Sequence, residues 1–208
     1  MITGYEGVSC TGKTSLIAEV AAAGNDPLVV PCYYHAAPAP ALLPNPVAAT
    51  ASEQLEGLAV LLGVEERRRK AAEEADAEGR DVLLDRTVDT FLAHTYAIAQ
   101  LHGHLIMDKA RQLVCASAPL LPDLTIVLHA DPAVLAARAA RRPGMPTVFY
   151  APEFTRHFEA YFHHQALTPR CIHLDSSRPT TRELASAALR HITQARGAVA
   201  AHRPRRTR

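Results

Sequence analysis

The chain has 208 residues, 48% of them hydrophobic, with 22 basic against 21 acidic side chains and a formal net charge of +1. That is apolar matter for the core of one domain rather than two. So balanced a charge excludes a global field that would recruit nucleic acid or a membrane surface.

The first predicted strand, 1–6 (MITGYE), leads through a glycine-bearing turn to a helix at 13–23, with Gly24 as its C-cap. A second strand at 28–32 (LVVPC) is followed by residues 36–49, AAPAPALLPNPVAA, where proline forbids a helix or a central strand. This segment is a surface loop or, lying just beyond a strand's C-terminal end, a lining of the ligand site. A long helix at about 51–78, a strand at 81–85 (DVLLD), helices at 88–102 and 107–117 and a strand at 124–129 (LTIVLH) come next. Asp131 and Pro132 open a helix at 131–141 as N-cap and first residue. A helix at 153–165, a strand at 171–174 (CIHL) and a helix at 180–196 complete the domain, and 197–208 form a basic, disordered tail. The strands at 81–85 and 124–129 are apolar on consecutive positions, as strands buried on both faces are. The alternation predicts a three-layer α/β/α fold around a parallel sheet.

Gly7 to Thr14, GVSCTGKT, fits the phosphate-loop pattern G-x-x-x-x-G-K-[ST]. Its glycines let backbone N–H groups turn inward around phosphate oxygens, and the following helix aims its positive end at the same place. Lys13 then bridges the β- and γ-phosphates, and the Thr14 hydroxyl binds Mg²⁺. The nucleotide-holding set is Gly7, Ser9, Cys10, Thr11, Gly12, Lys13, Thr14 and Ser15, and the cofactors are ATP and Mg²⁺. Asp85 and Arg86 end the third strand beside this loop. Asp85 there is a carboxylate ordering a magnesium ion's water, and Arg86 is a surface arginine or a ligand-facing cation. Arg138, Arg141 and Arg142 share a helix face. They are a solvated face or, with Pro143-Gly144-Met145-Pro146 behind them, a mobile flap carrying cations to a phosphoryl group.

EGVSCTGKTS resembles the opening EGxDGxGKST of thymidylate kinases and the EGNIxxGKST of deoxynucleoside kinases. DRTVDTFLAHTYA is similar to the thymidylate kinase stretch DRYxxSSLAYQ, with Asp85, Arg86, Leu92 and Ala93 on matched positions. PDLTIVLHADPAVLAARAARR is similar to PDLxxxLDVxPExAxxRxxxR, with Arg138 and Arg142 on the arginines. The resemblance covers most of residues 2 to 195 in motif order. The resemblance implies a five-stranded parallel sheet in the order 2-3-1-4-5 and a lid at about 138–152 within a domain of residues 1–196. It implies that Lys13 and Thr14 hold ATP and Mg²⁺, that Asp85 orders the metal's waters or the acceptor, that Arg86 bridges donor and acceptor phosphates, and that Arg138 and Arg142 close over ATP. Homodimers are common in the family.

The departures fall on the acceptor side. Ser9 stands where thymidylate kinases carry an aspartate, PCYYHAAPAP replaces their TREPG-like motif, and Ala93-His94-Thr95 replaces AYQ. The family's base-contacting arginine falls at Val64, one turn from Arg67 and Arg68. From Ser15 to Glu66 there is no lysine or arginine. A phosphate-bearing acceptor would have Arg67, Arg68, Arg69, Lys70 and Arg86 to meet it; a hydroxyl acceptor would need a base such as Glu6, Asp85 or His35. The candidate acceptor-side residues are Glu6, Tyr33, Tyr34, Arg67, Arg68, Thr90 and His94. Glu6 is equally an anchor for the phosphate loop, and the tyrosines equally packing groups.

These features indicate an ATP- and Mg²⁺-dependent phosphotransferase acting on a nucleotide or nucleoside-like small molecule. The alternatives are a kinase for a hydroxyl of a nucleoside, sugar or antibiotic-like metabolite, and a P-loop ATPase or regulatory nucleotide-binding module. Cys10, Cys32, Cys115 and Cys171 show no metal or disulfide spacing, and His94, His163 and His164 show none either. The start MITGYEGV lacks the features of a secretion signal, and no apolar run reaches the ~18 residues of a membrane span. A cytoplasmic protein with free thiols and no nucleic-acid or membrane partner is expected.

Overall fold

In a computed structural model, which describes residues 1–202 apart from 49 and 143, the five strands form one parallel sheet in the order β2-β3-β1-β4-β5. The strands are β1 (Ile2–Glu6), β2 (Leu28–Val30), β3 (Val82–Asp85), β4 (Leu124–His129) and β5 (Cys171–Asp175). Tyr5 of β1 pairs with Asp85 of β3 and with Ile126 of β4, so β1 and β3 end side by side while β4 runs on past them to His129.

Side chains alternate across the strands and divide the core into two layers. Tyr5, Leu83, Leu124, Ile126 and Leu128 face helices α1 (Lys13–Ala23) and α8 (Thr181–His202). Those helices answer with Leu16, Ile17 and Val20, and with Leu184, Ala188 and Ile192, at the i, i+3/i+4 spacing of one apolar stripe. On the opposite face, Ile2, Val82 and Leu84 pack on Ala72 and Ala75 of the long helix α3 (Ala51–Ala77). Val127 meets a second layer built from α4 (Asp89–His102), α5 (Met107–Ala116), α6 (Pro132–Ala139) and α7 (Pro152–His164).

Several boundaries differ from the sequence expectation for physical reasons. β2 stops at Val30 because Pro31 has no N–H to continue the ladder, and a single turn, α2 (Tyr33–Ala36), follows at once. The Pro/Ala-rich stretch is irregular apart from a 3₁₀ turn at Pro40–Leu42. It ends where Thr50 and Glu53 form a reciprocal capping box that starts α3. α6 stops at Ala139, and the expected lid at 138–152 contains a 3₁₀ turn at Thr147–Tyr150. α8 continues to His202, so the first six residues of the expected tail are helical; 203–208 lie outside the described residues. Among the described residues no helix is long and apolar enough to cross a membrane.

One buried carboxylate ties the second layer together. Asp89, at the start of α4, accepts hydrogen bonds from the Tyr161 hydroxyl (2.6 Å), the Leu167 and Thr168 amides (2.8 and 3.0 Å) and the Thr168 hydroxyl (2.6 Å). It thereby joins α4 to α7 and to the segment entering β5. Asp89→Ala would leave all four donors buried without an acceptor, and is expected to cost at least about 3 kcal/mol in urea unfolding. Asp89→Asn, which keeps one acceptor oxygen, should cost less.

Candidate nucleotide and phosphoryl-transfer site

The site lies at the carboxyl ends of β1 and β3, the edge where open α/β sheets gather ligands. β1 ends at Glu6, and the chain turns through Gly7, whose φ is +128°. A Cβ at Gly7 would lie 2.3 Å from the Leu128 carbonyl oxygen, so the turn excludes any side chain there. Gly12 is required for a different reason: its surroundings are open, but it caps α1 in the left-handed conformation, with φ +96°.

Between these glycines the loop closes around Lys13. Its ammonium donates to the carbonyls of Gly7 and Val8 at 2.8 Å each and to the Thr11 hydroxyl at 3.4 Å. Burial, followed by the Arg86 guanidinium, lowers its pKa to about 7, against the opposing pull of Asp85 and Glu6. The Thr14 hydroxyl donates to Asp85 Oδ2 at 3.3 Å, which places two hard oxygen donors side by side across the loop. Ser9 is half-buried and Cys10 buried, while Thr14 and Ser15 are exposed at the start of α1.

Glu6 is sealed from solvent. One oxygen accepts from the Thr87 amide (2.7 Å) and hydroxyl (2.8 Å), and the other accepts from the Thr90 hydroxyl. Burial pushes this carboxyl up, while Arg86 and the three donors draw it down. Arg86 has a left-handed backbone, φ 71°, and its guanidinium donates to Thr90 Oγ1 at 3.2 Å. Glu6, Thr90, Arg86, Asp85, Thr14 and Lys13 are therefore one connected cluster. His94 stands one helical turn beyond Thr90, edge-on to Phe154 at 5.3 Å. Burial and Arg86 lower its pKa to about 4, so its imidazole is neutral.

The other acceptor-side candidates separate. Arg68 is buried and lies 3.9 Å over the ring of Tyr33. It donates to the carbonyls of Pro31 (2.9 Å), Asp85 (3.0 Å) and Arg86 (2.7 Å) and to Glu65 (2.6 Å). Its donors hold three backbone segments together, which is a structural arrangement rather than the free cation expected from sequence. Arg67 is exposed on α3, and Tyr34 is 59% exposed. Arg69 pairs with Glu73 and Lys70 with Glu66, each one turn along the same helix. Arg138 binds the Cys10 carbonyl (3.2 Å), the Ser176 hydroxyl (3.3 Å) and the Ser176 carbonyl (2.7 Å), which links the phosphate loop to the turn after β5. Arg142 is exposed. Ser176 and Asp89 were not singled out from sequence. Single serines and helix-starting aspartates carry no local signal of such long-range bonds.

No protein-family model matches this chain, and neither does any curated protein. Solved structures do match. A thymidylate kinase from Candida albicans superimposes with a TM-score of 0.72 at 15% identity, covering 93% of this chain and 91% of that one. A deoxyadenosine kinase from M. mycoides with the products dCMP and dCDP bound gives 0.69 at 12% identity over 93% of this chain and 100% of that one. The same enzyme with bound dATP gives 0.65 at 14% identity, covering 91% and 100%. The fold is thus that of thymidylate kinase-like and deoxynucleoside kinase-like P-loop kinases, as the three sequence runs implied.

Replacing Arg68 by Met would strand three carbonyls and the Glu65 carboxylate in the interior. A loss of about 3 kcal/mol or more in urea unfolding is expected. Arg67→Ala, on the exposed side of the same helix, should stay within about 0.5 kcal/mol of the parent.

Proposed function

We propose that the chain is an ATP- and Mg²⁺-dependent phosphotransferase of the thymidylate kinase-like group, passing the γ-phosphate of ATP to a nucleotide or nucleoside-like acceptor. The observation that supports this most is the meeting of Lys13, Thr14, Asp85 and Arg86 at one sheet edge. Lys13 and the loop amides would bind the donor phosphates, and Arg86 would span donor and acceptor. Thr14 and Asp85 fit a hard divalent cation, and Mg²⁺ held there would neutralise charge on the β- and γ-phosphates. Arg138, held against the loop by Cys10 and Ser176, would stabilise phosphate charge from the other side. In the transfer an acceptor oxygen bonds to the γ-phosphorus as the bond to the β–γ bridging oxygen breaks, and ADP leaves.

One structural observation favours a hydroxyl acceptor over a monophosphate. Of the cations expected to meet an acceptor's phosphate, Arg68 is consumed internally, Arg69 and Lys70 are paired along α3, and Arg67 is exposed. Arg86 is what remains at that edge among the described residues. Glu6, sealed by its three donors, is not placed to receive a hydroxyl's proton.

The test is a screen of nucleosides, nucleoside monophosphates and small hydroxylated metabolites for acceptor-dependent ADP release, with the product identified by mass. Transfer to a nucleoside-like hydroxyl is the expected result. ATP hydrolysis that ignores every acceptor would sink the kinase reading and leave the ATPase alternative. Lys13→Ala should lower transfer by roughly two to three orders of magnitude while the folded circular-dichroism spectrum persists.

A pH signature follows from Lys13. An anionic phosphate beside its ammonium raises a pKa that starts at about 7. ATP binding should therefore take up part of a proton just above that pH, and almost none below about pH 6, where the ammonium is already protonated. Calorimetry in buffers of different ionisation enthalpy reads this uptake, and Lys13→Met should abolish it.

A further inference from the structure

Away from the phosphate loop, three histidines distant in sequence converge at the carboxyl end of the sheet's other half. His129 ends β4, His173 lies in β5, and His163 is in the last turn of α7. One nitrogen from each ring lies within 4.8 Å of the others. His129 Nε2 is 2.6 Å from His173 Nδ1, and the rings of His163 and His173 stack at 4.3 Å. The opposite nitrogen of His129, Nδ1, is 3.0 Å from Glu159 Oε1, one turn before His163 on α7.

We infer that these residues form a binding site for a zinc-class divalent ion, ligated by His129 Nε2, His173 Nδ1 and a ring nitrogen of His163, with Glu159 orienting His129. This site is separate from the oxygen site at Thr14 and Asp85. The donor chemistry selects the metal: three imidazoles suit Zn²⁺ and its neighbours, whereas Mg²⁺ and Ca²⁺ require oxygen. A tetrahedral ion with Zn–N bonds of ~2.0–2.1 Å sets its nitrogens about 3.3 Å apart. The observed 2.6 Å contact and the 4.8 Å limit bracket that value, and His163 and His173 are both exposed enough to rotate the remaining distance. The Glu159 contact supplies what ligating histidines generally have, a carboxylate on the other ring nitrogen that fixes the tautomer and leaves Nε2 free to bind. Beside the cluster lies a hollow of about 320 Å³ lined by Ala130, Pro132, Glu159 and His163, which gives an ion access from solvent and leaves space for a fourth ligand.

The ion would cross-link the ends of β4 and β5 to α7. It would act two residues away from the phosphate loop, because the His129 carbonyl accepts from Ser176, and Ser176 holds Arg138. The inference does not depend on the phosphotransferase reading, since it concerns binding and stability alone.

The experiment strips the purified full chain with EDTA and titrates Zn²⁺ against a chromophoric chelator. The expected result is one equivalent bound by the parent chain, and Co²⁺ in its place should give the intense visible absorption of tetrahedral nitrogen coordination. The double variant His163→Ala/His173→Ala should lose that equivalent, and Glu159→Gln should bind roughly tenfold to a hundredfold more weakly. His35→Ala should bind as the parent does. Thermal unfolding gives a second reading: Zn²⁺ should raise the unfolding temperature of the parent and not of the double variant. One equivalent persisting in the double variant, parent binding no stronger than that variant's, or equal thermal stabilisation of both would overturn the site.

Discussion

The site depends on a buried carboxylate at the end of the first strand. Glu6 accepts three hydrogen bonds, all from the junction between β3 and α4, so the start of the phosphate loop and the residue after Arg86 are held at a fixed separation. That restraint bears on Arg86 itself, whose positive φ would cost about 1–3 kcal/mol if nothing enforced it. Its amide is bound by the Tyr5 carbonyl at 3.0 Å and its carbonyl by Arg68 at 2.7 Å. With both peptide groups and the following threonine fixed, the backbone has no freedom to relax, and the guanidinium stands beside Lys13 without paying for order when charge arrives.

The distribution of charge in this region is economical. The stretch from Ser15 to Glu66 carries no lysine or arginine, and the first cations after it are largely spent on the protein itself. Arg68 is the clearest case. A guanidinium that satisfies three main-chain carbonyls and one carboxylate while stacking on Tyr33 acts as a strut between β2, α3 and β3. Arginine suits this because its planar fork reaches several acceptors at once. On the proposed acceptor side, cationic charge is then concentrated at Arg86 and Lys13, and the rings of Tyr33 and Phe91 pack together at 4.1 Å.

Much of this architecture was legible in the sequence because it rests on local pattern. The runs DVLLD and LTIVLH are apolar without interruption, and they are the central strands β3 and β4; GVSCTGKT placed between strand and helix is the phosphate loop. Where the reading failed, long-range geometry decides. Arg67 and Arg68 are adjacent and chemically alike, yet the 100° helical step buries one and exposes the other. Proline at 31 shortened β2, a local effect that the apolar run masked. The histidine cluster was invisible for a different reason: His129, His163 and His173 sit on three elements, and no spacing rule relates residues that only the crossover of β4, α7 and β5 brings together.

The arginines of α6 show how a motif can split once it folds. Arg138 and Arg142 are four apart, one helical turn, and as sequence they read as a pair on a moving flap. α6 ends at Ala139, between them, so they belong to different environments. Arg138 is bound to Cys10 of the phosphate loop and to Ser176, and Ser176 in turn caps the end of β4 through the His129 carbonyl. A cation fixed to the loop's own backbone is oriented by the scaffold itself, so in the proposed transfer its electrostatic contribution would require no reorganisation. The scaffold thus supplies a fixed positive charge on each side of the loop, Arg86 through Glu6 and Arg138 through Ser176. The segment beyond α6 carries the other two arginines of the run, Arg141 and Arg142, both exposed.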